Sequence, residues 1–246
     1  MSVLAVIPAR YASTRLPGKP LAVLAGKPMI QHVYERVSQA SGVQVVIVAT
    51  DDQRIREAVK RFGGAVVMTN PKARSGSERV AEVARDRSEQ VIINVQGDEP
   101  MVLPEMVDQL AAFLERHAAI PMASLMTPMK SDADRANPNV VKVVVDRDGF
   151  ALYFSRAAIP HVRDASKSPA VFKHLGLYGY QRHFLLQFPS LEPTPLEQAE
   201  QLEQLRALEH GYRIKLLETA HDTIGVDTSE DLKRVEAMLQ KAAVER

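Results

Sequence analysis

The chain of 246 residues contains no cysteine and no tryptophan. Without cysteine there is no disulfide, no thiolate nucleophile and no zinc–sulfur site, and a reducing cytoplasm is the expected setting. Aromatic residues make up only 5%, too few to supply stacking platforms for single-stranded nucleic acid. Neither sign of charge dominates: 31 Lys and Arg face 30 Asp and Glu, a net charge of +1, and the two kinds are interspersed. That pattern lacks the basic stripe of a nucleic-acid binder, so any anion site must be local. No apolar run approaches the roughly 20 residues that span a bilayer, so no membrane partner is expected. Met1-Ser2 precedes an apolar stretch without a basic region or cleavage site, which predicts no signal peptide. What is present is 46% hydrophobic and 25% charged sequence, ample for a sizeable core.

Strand and helix patterns alternate through the first 126 residues. Apolar strands are predicted at 3–7, 43–49, 65–68 and 91–95, and helices at 29–40, 53–62, 78–87 and 104–117. Near-continuous apolar strands separated by helices predict an α/β fold, a mainly parallel sheet covered on both faces. In such sheets ligands bind beyond the carboxyl ends of the strands. The second half changes rhythm. Segments 140–145 and 150–155 flank Asp146-Arg147-Asp148-Gly149 and predict an antiparallel hairpin. A loop is expected at 161–170, strands at 174–180 and 214–218, and one helix over 196–210 closed by Gly211. Thr228 and Asp231 form a capping-box pattern opening a final helix. The expected organisation is a single domain over 1–246. Its nucleotide-binding part covers about 1–126, an inserted antiparallel lobe about 127–212, and a C-terminal turn and helix 213–246.

The most informative segment is the loop after the first strand. Arg10, Arg15 and Lys19 fall within ten residues, among Pro8, Pro17, Gly18 and Pro20. A restricted loop leaving a sheet core with three cations suits a polyphosphate. It is neither a Walker A loop nor a dinucleotide fingerprint. After the fourth strand, Gln96-Gly97-Asp98-Glu99 presents two adjacent carboxylates, hard oxygen ligands for Mg²⁺ or an Asx turn capping the next helix. Asp227, flanked by Gly225 and Thr228, is either a second metal ligand or a favourable charge at a helix N-terminus. Asp51-Asp52 reads as helix capping. Ser77 is an N-cap candidate, while Arg74 and the Ser75-Gly76 backbone are alternatives for contacting a nucleobase. Arg156, Arg163, Lys173, His174, Tyr178 and Gln204 are polar candidates in the later lobe. Gly176 and Gly179 beside them leave room for a ligand or another backbone.

Seven segments, AVIPARYASTRLPGKPL, SGSERVAEV, NVQGDEPM, YFSRAAIP, HLGLYGY, PLEQAEQLEQLRAL and GVDTSEDLKRVE, occur in register from about residue 3 to 238. Together they resemble the 3-deoxy-manno-octulosonate (Kdo) cytidylyltransferase family; the first alone marks the wider sugar-acid cytidylyltransferase group. The resemblance implies a Rossmann-like nucleotidyltransferase fold and Mg²⁺-dependent transfer of CMP from CTP to Kdo, with pyrophosphate released. It also implies a role in lipopolysaccharide biosynthesis and a cytoplasmic homodimer. Carried over by position, Arg10, Ser13, Arg15 and Lys19 hold the triphosphate. Arg74 and Ser75 face cytosine and ribose, Asp98 and Asp227 bind magnesium, and Asp98 also meets CTP. Gln96, Arg156, His174, Tyr178, Glu203 and Gln204 line the sugar side. The hairpin and the His174 strand contribute to the dimer interface. Rival readings are a cytidylyltransferase for sialic acid or 8-amino-Kdo, and a non-catalytic nucleotide-binding regulatory domain.

Overall fold

The computed structural model describes residues 2–12, 16–129, 131–164, 166 and 169–244. Strand β1, Val3–Ala9, is buried along its whole length and pairs in parallel with β4 (Val45–Thr50) on one side and β6 (Val91–Asn94) on the other. Strict alternation divides its side chains between two cores. Val3, Ala5, Ile7 and Ala9 pack with helix α1 (Met29–Val37), α2 (Gln53–Arg61) and α4 (Pro104–Arg116). Leu4 and Val6 pack on the other face with α3 (Gly76–Arg85) and α6 (Arg182–Gln187). A strand apolar on both faces is stable only in this covered position, as its sequence predicts.

Among the described residues the main sheet has nine strands. Beyond β4 lies β5 (Val66–Met68); beyond β6 lie the antiparallel β10 (Phe172–Gln181), then β7 (Met122–Pro128) and β11 (Ile214–Glu218). The hairpin of β8 (Lys142–Val145) and β9 (Ala151–Ser155) joins through β10. The expected α/β fold and antiparallel hairpin are therefore present, with two differences. Strand β10 runs through the main sheet between β6 and β7, and the division set near residue 126 falls inside β7. A small hairpin, β2 (Val23–Leu24) with β3 (Lys27–Pro28), leads into α1, and a short α5 (Asp132–Ala136) follows β7.

The helix expected over 196–210 is broken. It forms α7 (Pro195–Glu200) and α8 (Gln204–Glu209), and Gln201 between them is left-handed at φ 52°. Arg156 causes part of this: its guanidinium donates to the carbonyls of Glu200 at 2.8 Å, Pro138 at 3.0 Å and Gln201 at 3.5 Å. Carbonyls at a helix end need such partners. The final helix α9 (Ser229–Val244) opens with the expected reciprocal cap: the Thr228 amide donates to Asp231 and the Asp231 amide to Thr228 Oγ1.

Candidate active site

From β1 the chain proceeds to β4 and β5 on one side, whereas β6 lies on the other. The carboxyl ends of β1 and β6 therefore frame a topological switch point, where open α/β sheets bind ligands. A cleft of about 1210 Å³ opens there. Its lining includes Arg10, Lys19, Arg74, Ser75, Gln96, Asp98, Glu203 and Asp227, all expected from the sequence. Ser13 and Arg15 lie outside the described residues.

Two turns bring the charged groups together. Gly18, at φ +70°, closes the basic loop by donating its amide to the Tyr11 carbonyl at 3.0 Å, and Lys19 opens a short 3₁₀ turn. Gly97 lets the turn after β6 approach β1: a Cβ there would stand 2.9 Å from the Pro8 carbonyl oxygen. Facing each other across these turns, Lys19 Nζ donates to Asp98 Oδ2 at 2.5 Å and to Asp227 Oδ1 at 3.0 Å. Burial opposes the Lys19 charge, but the attraction of Asp98 and then Asp227 prevails and holds its pKa above the ordinary lysine value. Lys19 and Asp227, 208 positions apart in sequence, thus meet directly, and Asp98 joins them through the same ammonium. The Val226 amide donates to the Asp98 carbonyl at 2.8 Å, fixing the two acidic turns to each other.

Glu99 departs from the expected pair of adjacent carboxylates. It faces Gly225 and Thr223 rather than the cleft, and burial, followed by the Asp98 charge, pushes its pKa up to about 7. Asp52 caps α2 by accepting from the Arg54 amide, as expected. Asp51 instead pairs with Arg79 at 3.2 Å. Ser75, not Ser77, is the N-cap of α3. Ser77 Oγ donates to Glu203 Oε2 at 2.7 Å, and burial raises the Glu203 carboxyl pKa against the pull of Ser75, Ser77 and Arg206.

Four expected sugar-side residues are absent from the cleft lining. Arg156 is engaged at the end of α7 as described. His174 is buried on β10, its Nε2 2.9 Å from Ser124 Oγ, and Tyr178 OH donates to the buried Gln204 at 3.1 Å. The hydrogen-bonded registry of β10 turns these side chains into the core shared with Phe154 and Tyr180. Nor does Gly179 leave a vacancy: Leu114 of α4 fills its space, 2.5 Å from a notional Cβ.

Two buried arginines on the lining, Arg79 and Arg206, were missed. Arg79 bonds Thr69 and Asp51; Arg206 grips Glu197 through Nε at 2.8 Å and Nη2 at 2.5 Å. Both lie inside the motif segments quoted above. An arginine within a helix normally signals a solvated face, so nothing marked them as buried.

A divalent cation fits this arrangement. Asp98 and Asp227 already converge on one cationic centre, and both stay partly open, with side-chain exposures of 33% and 47%. No group of three or more His, Asp or Glu side chains suited to a metal occurs among the described residues. A pair of carboxylates completed by phosphate oxygens and water is the usual arrangement for Mg²⁺.

A mixed α/β sheet with a basic loop and an acidic pair at its switch point is the arrangement expected of a nucleotidyltransferase. The family profile described as Cytidylyltransferase matches residues 4–215. The chain is 54% identical to the 3-deoxy-manno-octulosonate cytidylyltransferase of Syntrophotalea carbinolica, covering 98% of this chain and 99% of that one. It is 51% identical to the protein of the same name from Geobacter sulfurreducens, covering 96% and 98%. A solved structure described as CMP:2-keto-3-deoxy-manno-octonic acid synthetase complexed with CTP superimposes with a TM-score of 0.94 at 46% identity, over 98% of this chain and 100% of that one. A Leptospira borgpetersenii cytidylyltransferase, 17% identical with a TM-score of 0.64, shares the fold over 98% of this chain and 87% of its own. The chain belongs to the cytidylyltransferase family, and within it to the 3-deoxy-manno-octulosonate cytidylyltransferases. No helix among the described residues is long and apolar enough to cross a membrane.

Proposed function

We propose that this enzyme transfers CMP from CTP to Kdo with release of pyrophosphate, activating the sugar acid for lipopolysaccharide assembly in the cytoplasm. The observation that carries the reading is the switch-point cleft, where the basic loop faces Asp98 and Asp227 across the Lys19 ammonium. Similarity to relatives of that name and to a CTP-bound structure supports the choice of substrates.

In this reading the anomeric hydroxyl of Kdo attacks the α-phosphorus in line with departing pyrophosphate. Positioning and charge neutralisation dominate such transfers. Arg10, Arg15 and Lys19, with Ser13, hold the triphosphate, and Lys19 exchanges its carboxylate partners for phosphate oxygens as CTP enters. Arg74 and Ser75 stand at the base and ribose end, beside α3. Asp98 and Asp227 would hold Mg²⁺, which when bound lowers the pKa of the attacking hydroxyl and stabilises charge on the phosphates. Gln96 and Glu203 reach the sugar end of the cleft directly. Tyr178 and Gln204 lie beneath it as a bonded pair, with His174 behind them and Arg156 holding α7. The enzyme acts as a homodimer, with the β8–β9 hairpin in the interface.

The decisive experiment measures pyrophosphate release with CTP and Mg²⁺, with and without Kdo, alongside sialic acid and 8-amino-Kdo. Release that requires Kdo is expected. Equal release without a sugar, or preference for sialic acid, defeats the assignment, and no release with any sugar favours a regulatory domain. Asp98→Asn is expected to lower turnover by several orders of magnitude while weakening CTP binding less. Unaltered turnover at saturating Mg²⁺ removes Asp98 from the chemistry.

A further inference from the structure

Between β11 and α9, residues 219–228 form neither strand nor helix, yet they deliver Asp227 to the cleft. Such a segment needs fastening at both ends and in the middle if a carboxylate on it is to keep one position. The Thr219 amide donates to the Met126 carbonyl of β7 at 2.9 Å, and at the far end the Asp227 and Thr228 amides donate to Asp231. The middle is held from β10. Lys173 Nζ donates to Asp222 Oδ1 at 2.7 Å and to the Thr223 carbonyl at 3.1 Å. Thr223 is itself buried and meets the Glu99 carboxyl, the residue next to Asp98. Three residues further on, the Val226 amide bonds the Asp98 carbonyl, and the Val226 side chain is buried against Leu24, Met29 and Val235.

We propose that Lys173 is a positioning residue for the acidic pair: from the rigid sheet it pins residues 222–223 and so sets where Asp227 stands relative to Asp98. An exposed ion pair is usually worth little. Lys173 differs because its side chain is only 23% exposed and it also satisfies a backbone carbonyl of the segment it holds. Both acidic turns are thereby referred to the main sheet, Asp98 through β6 and Asp227 through β10. Outer groups that orient metal ligands typically change metal affinity 10–100-fold when removed. The inference rests on the reading of Asp98 and Asp227 as a metal pair.

The test uses the full-length enzyme as wild type, Lys173→Met, Lys173→Arg, Asp222→Asn and Asp227→Asn. Mn²⁺ binding in the presence of a non-hydrolysable CTP analogue is measured by calorimetry, and hydrogen exchange is followed over 219–228. Lys173→Met is expected to weaken Mn²⁺ binding about tenfold and to speed exchange at the Val226 amide. Asp222→Asn has a smaller effect of the same kind, because the Thr223 carbonyl contact remains, and Lys173→Arg restores both readouts. Unchanged Mn²⁺ affinity in Lys173→Met, with normal loss on Asp227→Asn, overturns the positioning role alone, whatever happens to thermal stability. Mn²⁺ binding indifferent to Asp227→Asn overturns the metal pair itself and the inference with it.

Discussion

His174 owes its protonation state to burial. The residue is 7% exposed, its ring is bonded to Ser124 and edge-on to Phe154, and desolvation pushes its pKa down to about 3. The folded state therefore binds fewer protons than the unfolded state between the ordinary histidine value and about 3. Stability rises with pH across that window, is fully present above it, and is lost as the pH falls through it. At about 1.4 kcal/mol per pH unit, the loss across the whole window is of order 5 kcal/mol. Urea denaturation from pH 7 to pH 4 is expected to show this decline, and His174→Gln to flatten it. An equally steep decline in His174→Gln excludes the histidine as its source. Arg79 is the second residue whose importance lies in burial. Truncation to Ala leaves Asp51 and Thr69 without the guanidinium they share and is expected to cost about 3 kcal/mol. Arg79→Lys recovers little of this, since one ammonium does not reproduce a planar fork reaching both partners. Denaturant midpoints at unchanged slope measure both. Neither role was legible in the sequence, because the partners of His174 and Arg79 are brought in by sheet pairing and not by local spacing.

At the level of elements, most of what could be read locally agrees with the structure, the cap of α3 and the continuity of the helix over 196–210 being the exceptions. Strand β1, the capped α2, the β8–β9 hairpin and the Thr228 cap all rest on local patterns of apolarity or capping. Elements that depend on distant partners escaped. Strand β7 carries two methionines, an alanine, a serine and a proline in seven residues, with little β-branched signal, and becomes a strand because β10 and β11 flank it. The α7–α8 break depends on Arg156, some 45 residues away. The close approach of the turn after β6 to β1 was equally hidden, although Gly97 marks its place. Gly97→Ala sets a methyl against the Pro8 carbonyl at 2.9 Å, a backbone atom with no rotamer to yield. Overpacking of this kind costs about 1–3 kcal/mol, and here the displaced group is the Asp98 turn. Gly97→Ala is therefore expected to lower both melting temperature and turnover. Gly176→Ala, with nothing within 4 Å of its added methyl, is the control and should change neither. Equal behaviour of the two variants removes the close approach as the reason for Gly97.

Taken as a whole, the molecule gathers the candidate-site residues at the carboxyl ends of its central strands and leaves a strand edge open elsewhere. The basic loop and the Asp98 turn were legible as polar clusters at strand ends, whereas Asp227 could be read equally as a charge at the start of the last helix; their meeting through Lys19 follows from the order of β6, β1 and β4, which sequence periodicity does not specify. The same strand order bears on the proposed dimer. Strand β10, expected in the interface, is flanked by β6, β7 and β8, so it offers no edge to a second copy. Strand β9 is different: among the described residues it pairs along its length with β8 alone, and its Leu152 is 62% exposed. An apolar side chain on an open strand edge is a site for association, and a lysine there opposes it. Light scattering after size exclusion is expected to give the wild type near twice the chain mass of 27.2 kDa, and Leu152→Lys near one chain mass. Leu152 points away from the core, so circular dichroism and melting of the dilute variant should stay close to wild type. A variant that remains dimeric with those properties intact moves the interface elsewhere. If the variant is monomeric yet retains full turnover, each cleft works alone. Lost turnover in a folded monomer makes the partner copy part of the site.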